Sequence, residues 1–421
     1  MPLMLNLIGV AIAFAVIIVL IHKRLNFGIS LIIGSIVVGI FSLQKVEPIE
    51  IPMAMIEASF YSFDTNKINT QTIELALLML GIYVLAKTMQ ETGAIKKLVK
   101  SLRTIFSQGG TLALIPAVYG LMPVPGGALL SAPMIDEEGN KYHLTKDQKN
   151  FLNVWFRHIW FPIYPVSLAM ILICSTEFSN INIYSLVLVN IPAFITSIII
   201  GMVMLKKIVA HSTEKTATSE KDYTGIVYLL PPTVPLLFYA ILQQLGISQI
   251  QSFLIGVFFS IILLYYLTKT QRTTYISIIK KSLSWRLPLA IFGIMIFRKM
   301  FELSDASTVI TNVIGMLPLP AVFMIVMIPL LLGTLTGYNL GAIALSYPLV
   351  EPFFHFVEIN IVGLTSIIFI SSLVGYLVSP IHLCNVLSSE YFKTDVTRMY
   401  KMFIPSAFIL LLINTSIMMI L

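Results

Sequence analysis

An arginine and a histidine stand side by side within an apolar stretch, Asn153-VWFRHIWFP-Ile163, flanked by Trp155, Phe156 and Trp160. A charged side chain inside a membrane helix costs roughly 2.5–3.5 kcal/mol even on the lenient insertion scale, so Arg157 is expected to be paired or to face a polar cavity. Its guanidinium offers two parallel donors, the arrangement that suits a carboxylate. Snorkelling to the interface is the competing account, because Arg157 lies about two turns from the start of its helix. His158 follows directly, and His382 stands two residues beyond Pro380 in the second half of the chain. Each is placed to relay a proton or to donate a hydrogen bond beside a helix break. Asn153 and Asn385 are the polar companions expected on the same two helices.

The remaining candidates lie in two segments interrupted by helix breakers, MPVPGGALLSAP ending at Pro133 and LTGYNLGAIALSYP ending at Pro348. At Pro125, Gly126 and Gly127, and again at Gly337 and Gly341, backbone N–H and C=O groups are left without helical partners. Such backbone survives at membrane depth only where it lines a cavity or is covered by protein. Half-helix N-termini favour an anion there, and unwound carbonyls a cation. Ser131 accompanies the first tip, and Thr334, Thr336 and Asn339 the second. Thr336 and Asn339 supply the hard oxygens that a sodium ion would take. Lys87 and Lys299 occupy equivalent helix ends and are expected to snorkel and orient their helices. Glu74, near the start of the third helix, is placed either to take a proton or to sit in the interface, and no acidic residue lies deep enough to be a convincing proton carrier, which slightly favours sodium over proton coupling.

These residues must be held by membrane helices. The chain is 57% hydrophobic and 11% charged, with a mean hydropathy of +0.90, which excludes a soluble globular domain. Long uniform apolar runs, rather than alternating ten-residue strands, exclude a β-barrel. Runs of about 20 apolar residues mark ten spanning helices. In the first half these are Leu3–Ile21, Phe27–Leu43, Thr72–Met89, Asn150–Ile173 and Ile183–Leu205. In the second they are Tyr223–Leu242, Ile247–Leu267, Arg286–Leu303, Ile361–Leu387 and Met399–Leu421. The broken segments fall between the third and fourth helix of each half. A helical arm of about 12 residues rises only about 18 Å against a hydrocarbon core of about 30 Å, so each is expected to be a re-entrant hairpin.

The halves also match in order: Lys87 with Lys299, Pro116 with Pro329, Ser131 with Ser346, and Pro162 with Pro380. Four matches in sequence argue for duplication. Five crossings per half is odd, so the second repeat is expected upside down. The expected organisation is a first repeat over 1–208 with its hairpin at 111–136, a polar linker over 209–222, and a second repeat over 223–421 with its hairpin at 321–351. Lys96, Lys97, Lys100, Arg103, Lys206, Lys207, Lys280 and Lys281 fall on one side, which is therefore cytoplasmic, with both termini outward. Ala94-IKKLVKSLRTIF-Ser107 has Ile95, Leu98, Leu102 and Ile105 at helical spacing opposite basic residues, as in a helix lying in the interface or an ordinary basic loop helix.

Enzyme motifs are missing: there is no G-x-x-x-x-G-K-[ST], H-E-x-x-H or G-x-S-x-G, and no cofactor is expected beyond a coupling sodium. The formal net charge of +7 is spread over loops without interleaved base-stacking aromatics, so no nucleic acid is expected. Cys174 and Cys384 are far apart and show no metal-ligand spacing. Leu3–Ile21 lacks a basic n-region and a small-residue cleavage site, so it is expected to be retained as a helix.

The broken hairpins, the inverted ten-helix layout and the basic arm together resemble the ion transporter superfamily, which includes divalent-anion/sodium symporters, gluconate-type permeases and citrate carriers. The strings MPVPGGALLSAP, WFRHIWFP and LTGYNLGAIALSYP look most like an uncharacterised prokaryotic membrane-protein family. The resemblance implies a scaffold and a mobile transport domain bearing both hairpins, an elevator motion and a homodimer. In the sodium-dependent carboxylate members, Ser-Asn-Thr tips bind substrate and sodium. Here the first tip, Pro123-Val-Pro-Gly-Gly127, lacks that triplet. The expected function is secondary transport of a small organic anion in the cytoplasmic membrane, with a sodium or proton gradient as the driving force. A cation/proton antiporter on the same scaffold, and a channel or non-transporting receptor, are the alternatives.

Overall fold

The computed structural model describes residues 2–63, 65–105, 109–121, 127–209, 222–306, 308–309 and 319–421. These residues form helices joined by turns, plus one short antiparallel ribbon of β1 (Tyr61–Ser62) and β2 (Lys67–Ile68). The first half contains α1 (Pro2–His22), α2 (Phe27–Phe41), α3 (Glu50–Ser59), α4 (Gln71–Glu91) and α5 (Ala94–Arg103). It continues with α6 (Gly110–Gly120), α7 (Ala128–Asn140), α8 (Lys146–Arg157), α9 (Leu168–Cys174), α10 (Ile183–Val189) and α11 (Ile191–Val209). A 3-10 turn at Thr224–Leu229 leads into α12 (Leu230–Leu242), followed by α13 (Gln249–Thr268), α14 (Arg272–Ser282) and α15 (Arg286–Leu303). The chain ends with α16 (Ala321–Thr336), α17 (Asn339–Val350), α18 (Ile361–Val378), α19 (Leu383–Phe392) and α20 (Val396–Met418). Among the described residues, 7 helices are long and apolar enough to cross a membrane. The protein is an all-α membrane protein.

Each expected spanning segment contains helix, but the fourth of each half is not continuous. Asn150–Ile173 is divided into α8 and α9 by the irregular residues 158–167, and Ile361–Leu387 into α18 and α19 by residues 379–382. The cause lies in Pro162 and Pro165 in one case and Pro380 in the other. Proline lacks the N–H that would continue the ladder, and its ring collides with the carbonyl four residues earlier. Carbonyls freed in this way need other donors in an apolar surrounding. Asn385 Nδ2 donates to Leu377 O at 2.8 Å and to Ser379 O at 3.3 Å. Asn190 Nδ2 donates to Pro162 O at 2.8 Å, and Asn190 itself separates α10 from α11, so Ile183–Leu205 is also interrupted. Thr145 and Gln148 form a capping box that starts α8.

The arms expected of the two hairpins are helical, and the tip of the first, 122–126, lies outside the described residues. The arms α6 and α7 pack together, as do α16 and α17. Proline occupies all four arms, at Pro116, Pro133, Pro329 and Pro348. The packing around them is crosswise. The α6/α7 pair rests on α8 of its own half and on α19 of the other, while α16/α17 rests on α18 of its own half and on α9 of the other. A second group joins α1, α2, α3, α4 and α15 with α12, α13 and α14. The basic arm α5 buries Ile95 and Leu98 against protein and keeps Lys96, Lys97 and Lys100 exposed. Its apolar face is taken up in part by the Thr224–Leu229 turn, where Ser101 Oγ accepts from Gly225 N at 2.8 Å. The linker expected at 209–222 lies almost entirely outside the described residues.

Candidate functional site

Arg157 is the last residue of α8 and is only 2% exposed. It is held there by the first hairpin. Its Nη1 donates to Tyr119 O at 2.7 Å, in the final turn of α6, where the carbonyl end of a helix favours a cation. Gly120 and Gly127 permit this approach. A Cβ on Gly120 would lie 1.9 Å from Arg157 O, and one on Gly127 would lie 2.0 Å from Arg157 Nη2. The guanidinium therefore sits directly against the entry to α7, on the hairpin whose tip sequence lacks side-chain oxygens. Pro125 and Gly126 fall outside the described residues. Ser131 is buried behind the tip, where its hydroxyl donates to Asn153 Oδ1 at 2.6 Å. Asn153 Nδ2 in turn donates to Ala128 O and Ser388 Oγ, both at 2.9 Å, tying the first hairpin to α8 and α19.

The second tip turns at Gly337, whose φ of 59° lies in the left-handed region that glycine enters without steric penalty. It faces the break between α18 and α19: a Cβ there would lie 2.7 Å from Ile381 Cγ1. Across the same contact, Ser379 Oγ donates to Thr334 O at 2.6 Å. Thr336 Oγ1 donates to Leu332 O at 2.7 Å, and Asn339 Oδ1 accepts from Ser372 Oγ at 2.9 Å. Both expected sodium ligands thus have partners within the protein, and their oxygens retain lone pairs.

Between the second tip, the two helix breaks and α4 lies a cavity of about 460 Å³. Arg157, His158, Gly337, Asn339 and His382 line it, so five of the expected residues converge although they come from distant parts of the chain. Thr336 and Gly341 stand next to the lining residues rather than among them; Gly341 packs against the ring of Phe27. Tyr83 and Lys87 of α4, Tyr164 and Phe161 of the first break, Tyr376 of α18, and Arg286 at the start of α15 complete much of the wall. No aspartate or glutamate is among the lining residues. Among the described residues, neither Lys87 nor Arg286 has a carboxylate within ion-pair distance. A more open recess of about 550 Å³ shares Tyr83 and Lys87 and runs along α14 past Lys281.

Lys87, expected to snorkel and orient its helix, is half-buried and lines both spaces. Lys299, its counterpart, pairs instead with Glu57 at 3.0 Å. Glu74 accepts from Gln251 Nε2 at 3.1 Å and takes no part in the cavity. Cys384 is a correction, because the fold brings its sulfur close to His158 and His382. Sequence reasoning missed Tyr83, Arg286 and Tyr376. The one available signal was the i, i+4 spacing of Tyr83 and Lys87, which puts them on one face of α4.

Comparison with curated proteins gives no match. The family described as "Protein of unknown function (DUF401)" matches residues 7–420, nearly the entire chain, and the protein belongs to that family.

Proposed function

We propose that the protein is a secondary active transporter of a small organic anion, with the cavity at its binding site. One observation carries this reading: Arg157, Lys87 and Arg286 line a shared space, and no carboxylate among the described residues lines it. Cationic side chains that face a low-dielectric cavity favour an anion there, and a guanidinium matches a carboxylate best. Tyr83, Phe161, Tyr164 and Tyr376 supply apolar wall for the rest of the solute, in keeping with a pocket that recognises its ligand through few polar groups. The same observation disfavours cation/proton antiport, which needs an ionisable acid in the cavity.

The crosswise packing of hairpins and broken helices supports two inverted repeats, with α6–α9 and α16–α19 moving as a transport domain against the second helix group. Sodium would be held at the second tip by Thr336 and Asn339. The recess along α14 opens the cavity towards the basic loops, so this conformation faces the cytoplasm in our reading of the topology. A homodimer in the cytoplasmic membrane follows from the resemblance to elevator transporters.

Purified protein in liposomes tests the proposal. An inward sodium or proton gradient is expected to drive accumulation of a labelled monocarboxylate or dicarboxylate from a panel. Arg157→Lys is expected to lower that uptake at least about tenfold, because an ammonium replaces the planar fork. Gradient-driven proton release on addition of cations, with no carboxylate uptake, would establish antiport instead.

A further inference from the structure

The floor of the cavity holds a cluster that anion recognition does not require. The ligand atoms of His158, His382 and Cys384 all lie within 4.8 Å of one another, and each residue is at most 4% exposed. His158 ends the first broken helix, and His382 and Cys384 open α19 just beyond the second break, so the two proline interruptions create the cluster. Two details point its donors inward. His158 Nδ1 lies 2.7 Å from Val154 O. A carbonyl only accepts, so the proton resides on Nδ1 and the Nε2 lone pair faces the cluster, with the Tyr376 hydroxyl 3.5 Å away as its one long contact among the described residues. His382 is 1% exposed, and neither of its ring nitrogens makes a hydrogen bond of ordinary geometry among the described residues. A buried imidazole in that condition is costly unless something coordinates it.

We infer that His158, His382 and Cys384 bind one monovalent copper ion at the base of the cavity. Two imidazoles and a thiol are soft-to-intermediate donors that suit Cu(I) or Zn(II) and not magnesium or calcium. Charge decides between the first two. On binding, the Cys384 thiol gives its proton to solvent and the thiolate sulfur bonds the metal. Thiolate plus Cu(I) is neutral, whereas thiolate plus Zn(II) leaves a net positive charge beside Arg157 in an apolar surrounding. Three donors satisfy Cu(I), while zinc takes a fourth ligand that would here have to be water. Metal–ligand bonds of about 2.0–2.3 Å hold ligand atoms up to about 4 Å apart, so atoms that lie within 4.8 Å of one another must draw together by about 1 Å or less on binding. The inference is independent of the identity of the transported anion.

Titration of the purified, reduced protein with Cu(I) against a chromogenic chelator, without any anionic substrate, tests it directly. The expected result is one Cu(I) per chain, with sulfur and nitrogen scatterers in the copper X-ray absorption spectrum. Cys384→Ser and His382→Gln are each expected to weaken binding by about 100-fold or more, beyond the loss typical of an outer-shell change. Cys174→Ser, which alters the buried cysteine of α9, is expected to leave binding unchanged. Failure of the wild type to hold Cu(I) against the chelator, retention of Zn(II) in preference to Cu(I), or equal effects of Cys384→Ser and Cys174→Ser would overturn the inference. Carboxylate uptake in chelator-treated liposomes is a separate readout, so loss of copper binding and loss of the anion reading are told apart.

Discussion

Arg157 is a charge among tryptophans and phenylalanines, and its neighbour Gly127 shows why the tip sequence takes the form it does. Gly127 is bare because the guanidinium fills the space its side chain would occupy. Gly127→Ala therefore acts on Arg157. A methyl group at 2.0 Å from Nη2 must displace the guanidinium, at about 1–3 kcal/mol for overpacking. The expected outcome is a lower unfolding temperature in detergent together with a loss of carboxylate uptake comparable to that of Arg157→Lys. Lys87 was not legible: a lysine near the end of a membrane helix has the same sequence signature whether it snorkels or faces a cavity. Lys87→Met keeps the length of the stem and removes the charge. It is expected to raise the apparent KM for the anion about tenfold, on the order of 1.4 kcal/mol of binding, while leaving thermal stability unchanged; an unchanged KM would place Lys87 outside the site.

At the scale of the element, proline position forecast where the fourth helices break, but their extent was hidden. Whether the helix resumes after one residue, as it does at Asn190, or after a longer excursion, as between α8 and α9, depends on which side chains reach the freed carbonyls. Those donors come from remote sequence: Asn190 serves Pro162 O, and Asn385 reaches back across the second break. Asn385→Leu preserves size and removes the donor, leaving Leu377 O and Ser379 O without this partner. A buried acceptor left unsatisfied costs about 1–3 kcal/mol, so thermal unfolding is expected to shift down accordingly. The first hairpin is anchored by charge at its other end, where Glu138 Oε2 takes Arg103 Nη2 at 2.8 Å and Lys141 Nζ at 3.0 Å. That node couples the amphipathic arm α5 to the hairpin, which the hydrophobic spacing of α5 alone did not disclose.

At the scale of the whole molecule, duplication and inversion are separate properties with separate tests. Matching residues in order imply duplication, whereas inversion was deduced from an odd number of crossings, a count that the broken fourth helices make easy to get wrong. If the first break let the chain turn back instead of crossing, the second half would start in the same orientation as the first and the hairpins could not approach from opposite faces. The crosswise contacts, α7 with α19 and α17 with α9, fit a two-fold relation in which each repeat completes the other's hairpin seat. Labelling decides it. Lys67 precedes α4 and Lys280 precedes α15, the helices that carry the matched Lys87 and Lys299, and both side chains are exposed. In a cysteine-free background, Lys67→Cys is expected to react with a membrane-impermeant maleimide added to intact cells. Lys280→Cys is expected to react only after the membrane is opened or in inside-out vesicles. Reaction of both from the same side would remove the inverted relation, and with it the physical basis for an elevator in which one site is exposed alternately to the two faces.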